Sequence, residues 1–346
     1  EDSDYFLSYG YLKNKTDYYF VGFQTADFFQ AGYYSLGRLR HYGIQSYISH
    51  PFSRFQRLDF GLTWHNISYD ILDRVINTFT GQEELLKRPG SIKFTTVLPT
   101  MSWVIDNSVF GITGPVDGYR QNASVTASPG WKNNFSFQTM KFDARKYWRV
   151  GRDYTFALRG FFGRSQGNKA QKFFLGGTPY LLTDFQSGET NGVKDPSIYR
   201  SVLTDTANSN IITDVYFTEY AFPMRGARFA ERIGTNAALF NFEIRFPFIN
   251  YLALGFPLKL VLGNIRGHAF MDVGAAWDNY SEFSSNMWPD KYGPNNSGNF
   301  SPWVVTSGLG VKINLGYFLL RLESAWDKNP SGYSKPQWYL SLGPDW

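Results

Sequence analysis

Residues 236–247 alternate with period two between large apolar side chains and polar or fully charged ones. Phe240, Phe242, Ile244 and Phe246 project to one side, Asn241, Glu243 and Arg245 to the other. A repeat of two is the signature of a β-strand. Two kinds of strand carry such a pattern. In a soluble sandwich the apolar face is hidden in a core and the charges lie in water. In a transmembrane barrel the apolar face meets lipid and the charges face the lumen. A single strand of this kind fits a sandwich with one wet face, so the decision rests on how often the pattern recurs.

It recurs along most of the chain. Leu58, Phe60, Leu62 and Trp64 oppose Arg57, Asp59, Thr63 and His65. Tyr154, Phe156, Leu158 and Phe162 oppose Thr155, Ala157 and Arg159, and Phe318, Leu320, Leu322 and Trp326 oppose Arg321 and Glu323. Strands are predicted at 4–13, 17–27, 37–49, 57–65, 92–104, 118–128, 133–145, 153–163, 236–247, 258–276, 303–314, 316–326 and 336–343. Short polar, Gly- or Asn-containing turns separate several of them. That makes thirteen strands, eight before a long irregular stretch at 164–235 and five after it. Residues 70–90 and 278–301 read as polar loops, the first with one helical turn around residues 83–86. A structureless stretch as long as 164–235 counts against a compact soluble domain. It suits an extracellular or lumen-filling loop of a barrel.

Composition agrees with a barrel and excludes several alternatives. Aromatic residues make up 19% of the 346 residues, as expected for girdles at two membrane interfaces. Trp64, Trp103, Trp277, Trp303, Trp326 and Trp338 fall near predicted strand ends, where an amphipathic ring suits the headgroup level. The mean hydropathy of −0.32 is no objection, because alternating strands average out in any window. The most apolar region, 251–263, is broken by Pro257 and Lys259, so a transmembrane helix is not expected. There is no cysteine, hence no disulfide framework or thiolate chemistry. A net charge of +5 is spread along the chain rather than gathered in a patch, which argues against nucleic acid. The four histidines, His41, His50, His65 and His268, form neither a Gly-x-Ser-x-Gly context nor a His-x-x-x-His pair. No enzyme, cofactor or metal site is expected.

Three local signatures narrow the reading. Met224-Arg225-Gly226 lies in the long loop, NFEIRFP follows at 241–247, and Phe270-Met271-Asp272-Val273-Gly274 lies one strand later. In this order and strand context they resemble the BamA-type outer-membrane assembly and translocation barrels, the bacterial surface antigen family. Gly176-Gly177, and the closing strand that ends in Trp346, are similar to further elements of that family. The separation between Gly177 and Arg225 is longer than in typical members. The resemblance implies an all-β, transmembrane antiparallel β-barrel of the 16-strand type, with about 13 strands visible here and the long loop folded into the lumen. Residues 1–346 are then one outer-membrane barrel domain, lacking its first strands and any N-terminal periplasmic module. The first strand, 4–13, is expected not to pair directly with the last, 336–343.

The implied function is protein insertion or translocation in the outer membrane of a Gram-negative bacterium, through a weak seam between first and last strands. The implied partners are outer-membrane lipid and lipopolysaccharide, client or partner proteins, and the N-terminal module or missing strands. Alternatives are a passive pore or transporter, or a membrane anchor for a periplasmic module. At the seam, Gly343 supplies a kink or merely ends the strand before Pro344, and Trp346 closes the chain. Within the lumen, the resemblance implies a latch of Arg225, Gly226, Glu243, Phe270 and Asp272. Parity puts Glu243 and Asp272 on the lumen face of neighbouring strands, about 4.8 Å apart. A guanidinium can bridge both carboxylates, which an ammonium cannot copy, and Phe270 packs against it. Gly226 permits close approach. Lumen water is expected to screen the pair and keep its energy modest. Without the resemblance, Arg225 reads as a solvated loop residue.

Overall fold

The computed structural model describes residues 3–32, 35–76, 83–90, 92–130, 136–178, 181–186, 219–221, 223–227, 231–255, 260–283, 302–316, 318–329 and 332–343. Trp346 lies outside them. Thirteen strands build one antiparallel wall: Tyr5–Tyr11, Asp17–Gly32, Ser35–Pro51, Gln56–Ile76, Ile92–Asp106, Gly114–Pro129, Ser136–Val150, Tyr154–Gly167, Asn236–Leu254, Leu260–Trp277, Trp303–Asn314, Leu319–Asn329 and Gln337–Gly343. Each pairs with its neighbours in chain order. Eight precede the long loop and five follow it.

The wall is inside-out relative to a soluble sandwich. Phe60, Leu62, Trp64, Met101, Trp103, Phe240, Met271, Leu309 and Phe318 are exposed, whereas Asp59, Glu243, Arg245, His268, Asp272, Lys312, Arg321 and Glu323 are buried. Side chains alternate across a strand, so these two sets lie on opposite faces. An exposed apolar band with charge inside is what lipid on one side and a lumen on the other require. Contacts between distant strands show that the charged face is concave. Arg245 donates to the Pro115 carbonyl at 2.7 Å, and Arg266 to the Asp153 carbonyl at 3.0 Å. Elsewhere Leu39, Ile67 and Phe137, from three wall strands, share an apolar cluster. The two ends differ. Tight connections at 12–16, 52–55, 151–153 and 315–318 lie at one end, and the 168–235 and 278–302 connections lie at the other.

Three expectations change. The 70–90 region is not a loop with a helical turn. The Gln56–Ile76 strand runs on through it, and Glu83–Lys87 folds back as a strand against Leu72–Ile76. That projecting hairpin satisfies its own backbone, and Lys87 and Arg88 bind Asp70 and Asp73 at 2.8 and 2.7 Å. Trp277 is no interface anchor: it is buried against Phe283, with ring centroids 5.1 Å apart. Trp64 and Trp326 lie within strands rather than at their ends.

The wall has two outer edges. Among the described residues Tyr5–Tyr11 is laddered only to Asp17–Gly32, and it is exposed throughout. No ladder joins it to Gln337–Gly343 among those residues. The last strand pairs on one side with Leu319–Asn329 and on the other with Leu181–Gln186, a segment of the long loop.

Candidate functional site

The long loop enters the lumen as a small sheet of its own. Phe173–Leu175 runs parallel to Glu219–Ala221 and antiparallel to Arg232–Gly234, and Gly177 bridges Met224. Phe173, Leu175, Ala221, Met224 and Ala227 pack on Phe161, Ala237, Leu239, Ala276 and Val304 of the wall. Small residues on the lumen face, Ala237 and Ala276, leave room for the loop's large ones. Two ion pairs hold its margins: Lys141 to Glu219 at 2.8 Å and Lys172 to Asp278 at 2.8 Å. Asp278 also accepts a hydrogen bond from the Thr235 amide at 2.8 Å.

This packing delivers Arg225 to a ring of carboxylates. Its amide and Nε both donate to Asp272 Oδ2 at 3.0 Å, and Nη2 donates to Asp272 Oδ1 at 2.9 Å. Nη1 reaches Glu243 Oε2 at 2.9 Å and Glu323 Oε1 at 3.3 Å. The guanidinium carbon stands 3.6 Å from the centre of the Phe270 ring, a cation–π contact in a water-poor site. Gly226, beside it, holds φ at +86°, and a Cβ there would lie 3.0 Å from Ala325 Cβ. Only glycine takes that backbone without strain in so close a fit. Opposite Phe270 on the next strand is Gly308. A Cβ at Gly308 would run into the Phe270 ring and the Ser324 carbonyl, so the absent side chain makes the space the ring occupies.

A second tier of side chains balances the charge. Arg245 Nε donates to Glu243 Oε1 at 2.7 Å, and Lys312 binds the same oxygen. Asn241 Nδ2 donates to Asp272 Oδ1 and to the Pro223 carbonyl, both at 2.8 Å, tying wall to loop. His268 Nε2 shares a hydrogen bond with Glu323 Oε1 at 2.9 Å, and its ring stacks on Phe270. Three carboxylates (Glu243, Asp272, Glu323) thus face three cations (Arg225, Arg245, Lys312).

Arg225, Glu243, Phe270 and Asp272 therefore lie together, with Gly226 alongside. The expectation of screening by lumen water fails. The Arg225 side chain is 2% exposed, and those of Glu243 and Asp272 are 0%. The cluster is buried between the loop tip and the wall. Removing one member of such a buried set costs about 3–5 kcal/mol, because its partners are left as uncompensated buried charges. Glu323, Asn241 and the two supporting cations were not assigned to the latch from sequence. Strand parity places all of them on the lumen face, but alternation alone does not say which lumen charges meet. Gly343 ends the last strand, in register with Leu319.

No curated protein matches the sequence. Among solved structures, BamA from Haemophilus ducreyi lacking POTRA domains 1-3 is similar in fold. It has a TM-score of 0.57 at 13% identity, covering 98% of this chain and 62% of that one. CdiB from Acinetobacter baumannii aligns at a TM-score of 0.46 and 12% identity, covering 98% of this chain and 49% of that one. CdiB from Escherichia coli aligns at 0.47 and 12%, covering 98% and 53%. The chain therefore spans less than two thirds of each of these. The Omp85 superfamily domain matches residues 6–346, nearly the whole sequence, and the chain belongs to that superfamily.

Proposed function

We propose that this chain is an outer-membrane barrel of a Gram-negative bacterium that inserts or translocates other proteins. It works at the seam between its first and last strands, with the Arg225 loop bracing the wall from inside. The observation that carries the reading is the Arg-Gly tip buried against Asp272, Glu243 and Glu323 in a member of the Omp85 superfamily. Two further features support it. The first strand offers seven exposed residues along an edge with no ladder among the described residues, and an unpaired edge in hydrocarbon is costly enough to recruit a strand. Strand addition supplies the backbone hydrogen bonds, and alternating side chains supply selectivity. The partners are then outer-membrane lipid, lipopolysaccharide and client proteins, with further strands or a periplasmic module on the N-terminal side of the barrel. The chain acts without chemistry of its own. His268 is closed inside the cluster and engaged by Glu323.

The test is insertion of an unfolded outer-membrane barrel into vesicles with and without this protein, followed by protease protection of the client. Insertion should be accelerated at least tenfold. A steady, ohmic conductance in planar bilayers with no effect on client insertion would point instead to a passive pore.

A further inference from the structure

The last strand's outer edge is already taken, and by this chain itself. Leu181–Gln186 pairs antiparallel with it: Leu181 opposite Ser341, Thr183 opposite Leu340, Asp184 opposite Tyr339, Phe185 opposite Trp338 and Gln186 opposite Gln337. A one-residue irregularity falls between Leu181 and Thr183. The segment is not one of the thirteen wall strands. It comes from the connection between Tyr154–Gly167 and Asn236–Leu254, the same connection that delivers Arg225 to the lumen. One loop thus does two things: its tip docks inside the wall, and an earlier part leaves the lumen to add a strand at the seam.

The register is informative. Among the described residues the added segment covers Gln337 to Ser341 of the last strand, the stretch toward the long-loop end of the wall. A ladder with a register irregularity is weaker than an uninterrupted one, because the extra residue is left unpaired and the bonding is locally disrupted.

We infer that Leu181–Gln186 is an intrachain cap on the seam. It satisfies the backbone edge of the last strand at rest and competes for that edge with an incoming strand of a client barrel. That the incoming strand belongs to a client rests on the function proposed above; the cap itself does not. Its consequence is that no other strand can pair with Gln337–Ser341 on that side while the cap is in place.

The test uses the full chain in vesicles and a fluorescent peptide with the sequence of residues 179–188 as the incoming strand. Thr183→Pro combined with Asp184→Pro removes two successive amides, one of which must face the last strand, and so uncaps the edge. The uncapped protein should capture the peptide at least tenfold more tightly than the parent and insert a client barrel several-fold faster. Asp184→Cys with Tyr339→Cys gives a second route. The chain has no cysteine of its own, so oxidation should form one disulfide, abolish peptide capture, and release it again on reduction. Equal capture by parent and uncapped protein, or no disulfide on oxidation, would overturn the cap. Tenfold differences in capture with no client insertion by any variant would leave the cap standing and remove the proposed function.

Discussion

Arg225→Ala is expected to free the loop tip from the lumen while leaving the wall folded. The arginine makes five hydrogen bonds to three carboxylates, all of them buried. Its side chain's loss takes two donors from Asp272, Nε and Nη2, and removes the cation shared by Glu243 and Glu323. A cost of about 3–5 kcal/mol for breaking a buried ionic set falls on docking of the loop, because the strands keep their own ladders. At about 1.4 kcal/mol per factor of ten, the undocked population should rise a hundredfold or more. Cleavage of the loop by a protease that does not cut at basic residues follows that population when opening is fast. Arg225→Lys keeps the charge but loses the fork that spans two carboxylates, and its cleavage rate should lie between the two. Equal rates in the parent and Arg225→Ala would mean that the contact holds nothing.

Leu62→Arg should strongly impair insertion of the barrel into membrane, whereas Thr63→Arg, one residue later, should be tolerated. Leu62 is 53% exposed, between the exposed Phe60 and Trp64, in the middle of the apolar band. An arginine on the lipid face near the midplane costs about 2–4 kcal/mol. Thr63 points the other way, on the face that carries Asp59, where a charge joins others in the lumen. Heat-modifiable mobility of the folded barrel after reconstitution would read both. A sandwich core would give the same ranking but for the wrong reason, so the comparison is made in vesicles of different thickness. Only a lipid-facing residue should respond to bilayer thickness.

The wall was largely legible in the sequence. Period two is local, and the thirteen predicted strands correspond to the thirteen of the wall, mostly with ends extended by several residues, as at Asp17–Gly32 and Gln56–Ile76. Ends escape because a strand stops where its neighbour stops, which is a pairing property. The same reason explains Glu83–Lys87: five polar and aliphatic residues read as a helical turn until the projecting end of the Gln56–Ile76 strand gives them an edge. At the candidate site, parity alone set Glu243 and Asp272 on the lumen face, and the family resemblance brought Arg225 to them. Glu323 was equally inward by parity, but its place in the cluster depends on barrel curvature, which no local pattern encodes. The energy of the cluster was misjudged for a related reason. Whether a lumen is wet depends on how well a loop fills it, and the fit of Phe173, Leu175 and Met224 against Ala237 and Ala276 is set by pairs far apart in sequence. The strand at Leu181–Gln186 gave no signal, lying within a stretch whose alternation had ended.

The most direct measurement is labelling of a single cysteine beside the tip. Ala227 is 2% exposed, packed with Met224 inside the wall, and the parent chain offers no competing thiol. With Arg225 intact, Ala227→Cys in vesicles should react with a water-soluble maleimide at least tenfold more slowly than Ser53→Cys in an exposed turn. Adding Arg225→Ala should bring the two rates together. If Ala227→Cys labels as fast as Ser53→Cys while Arg225 is present, the loop tip is not held in the lumen.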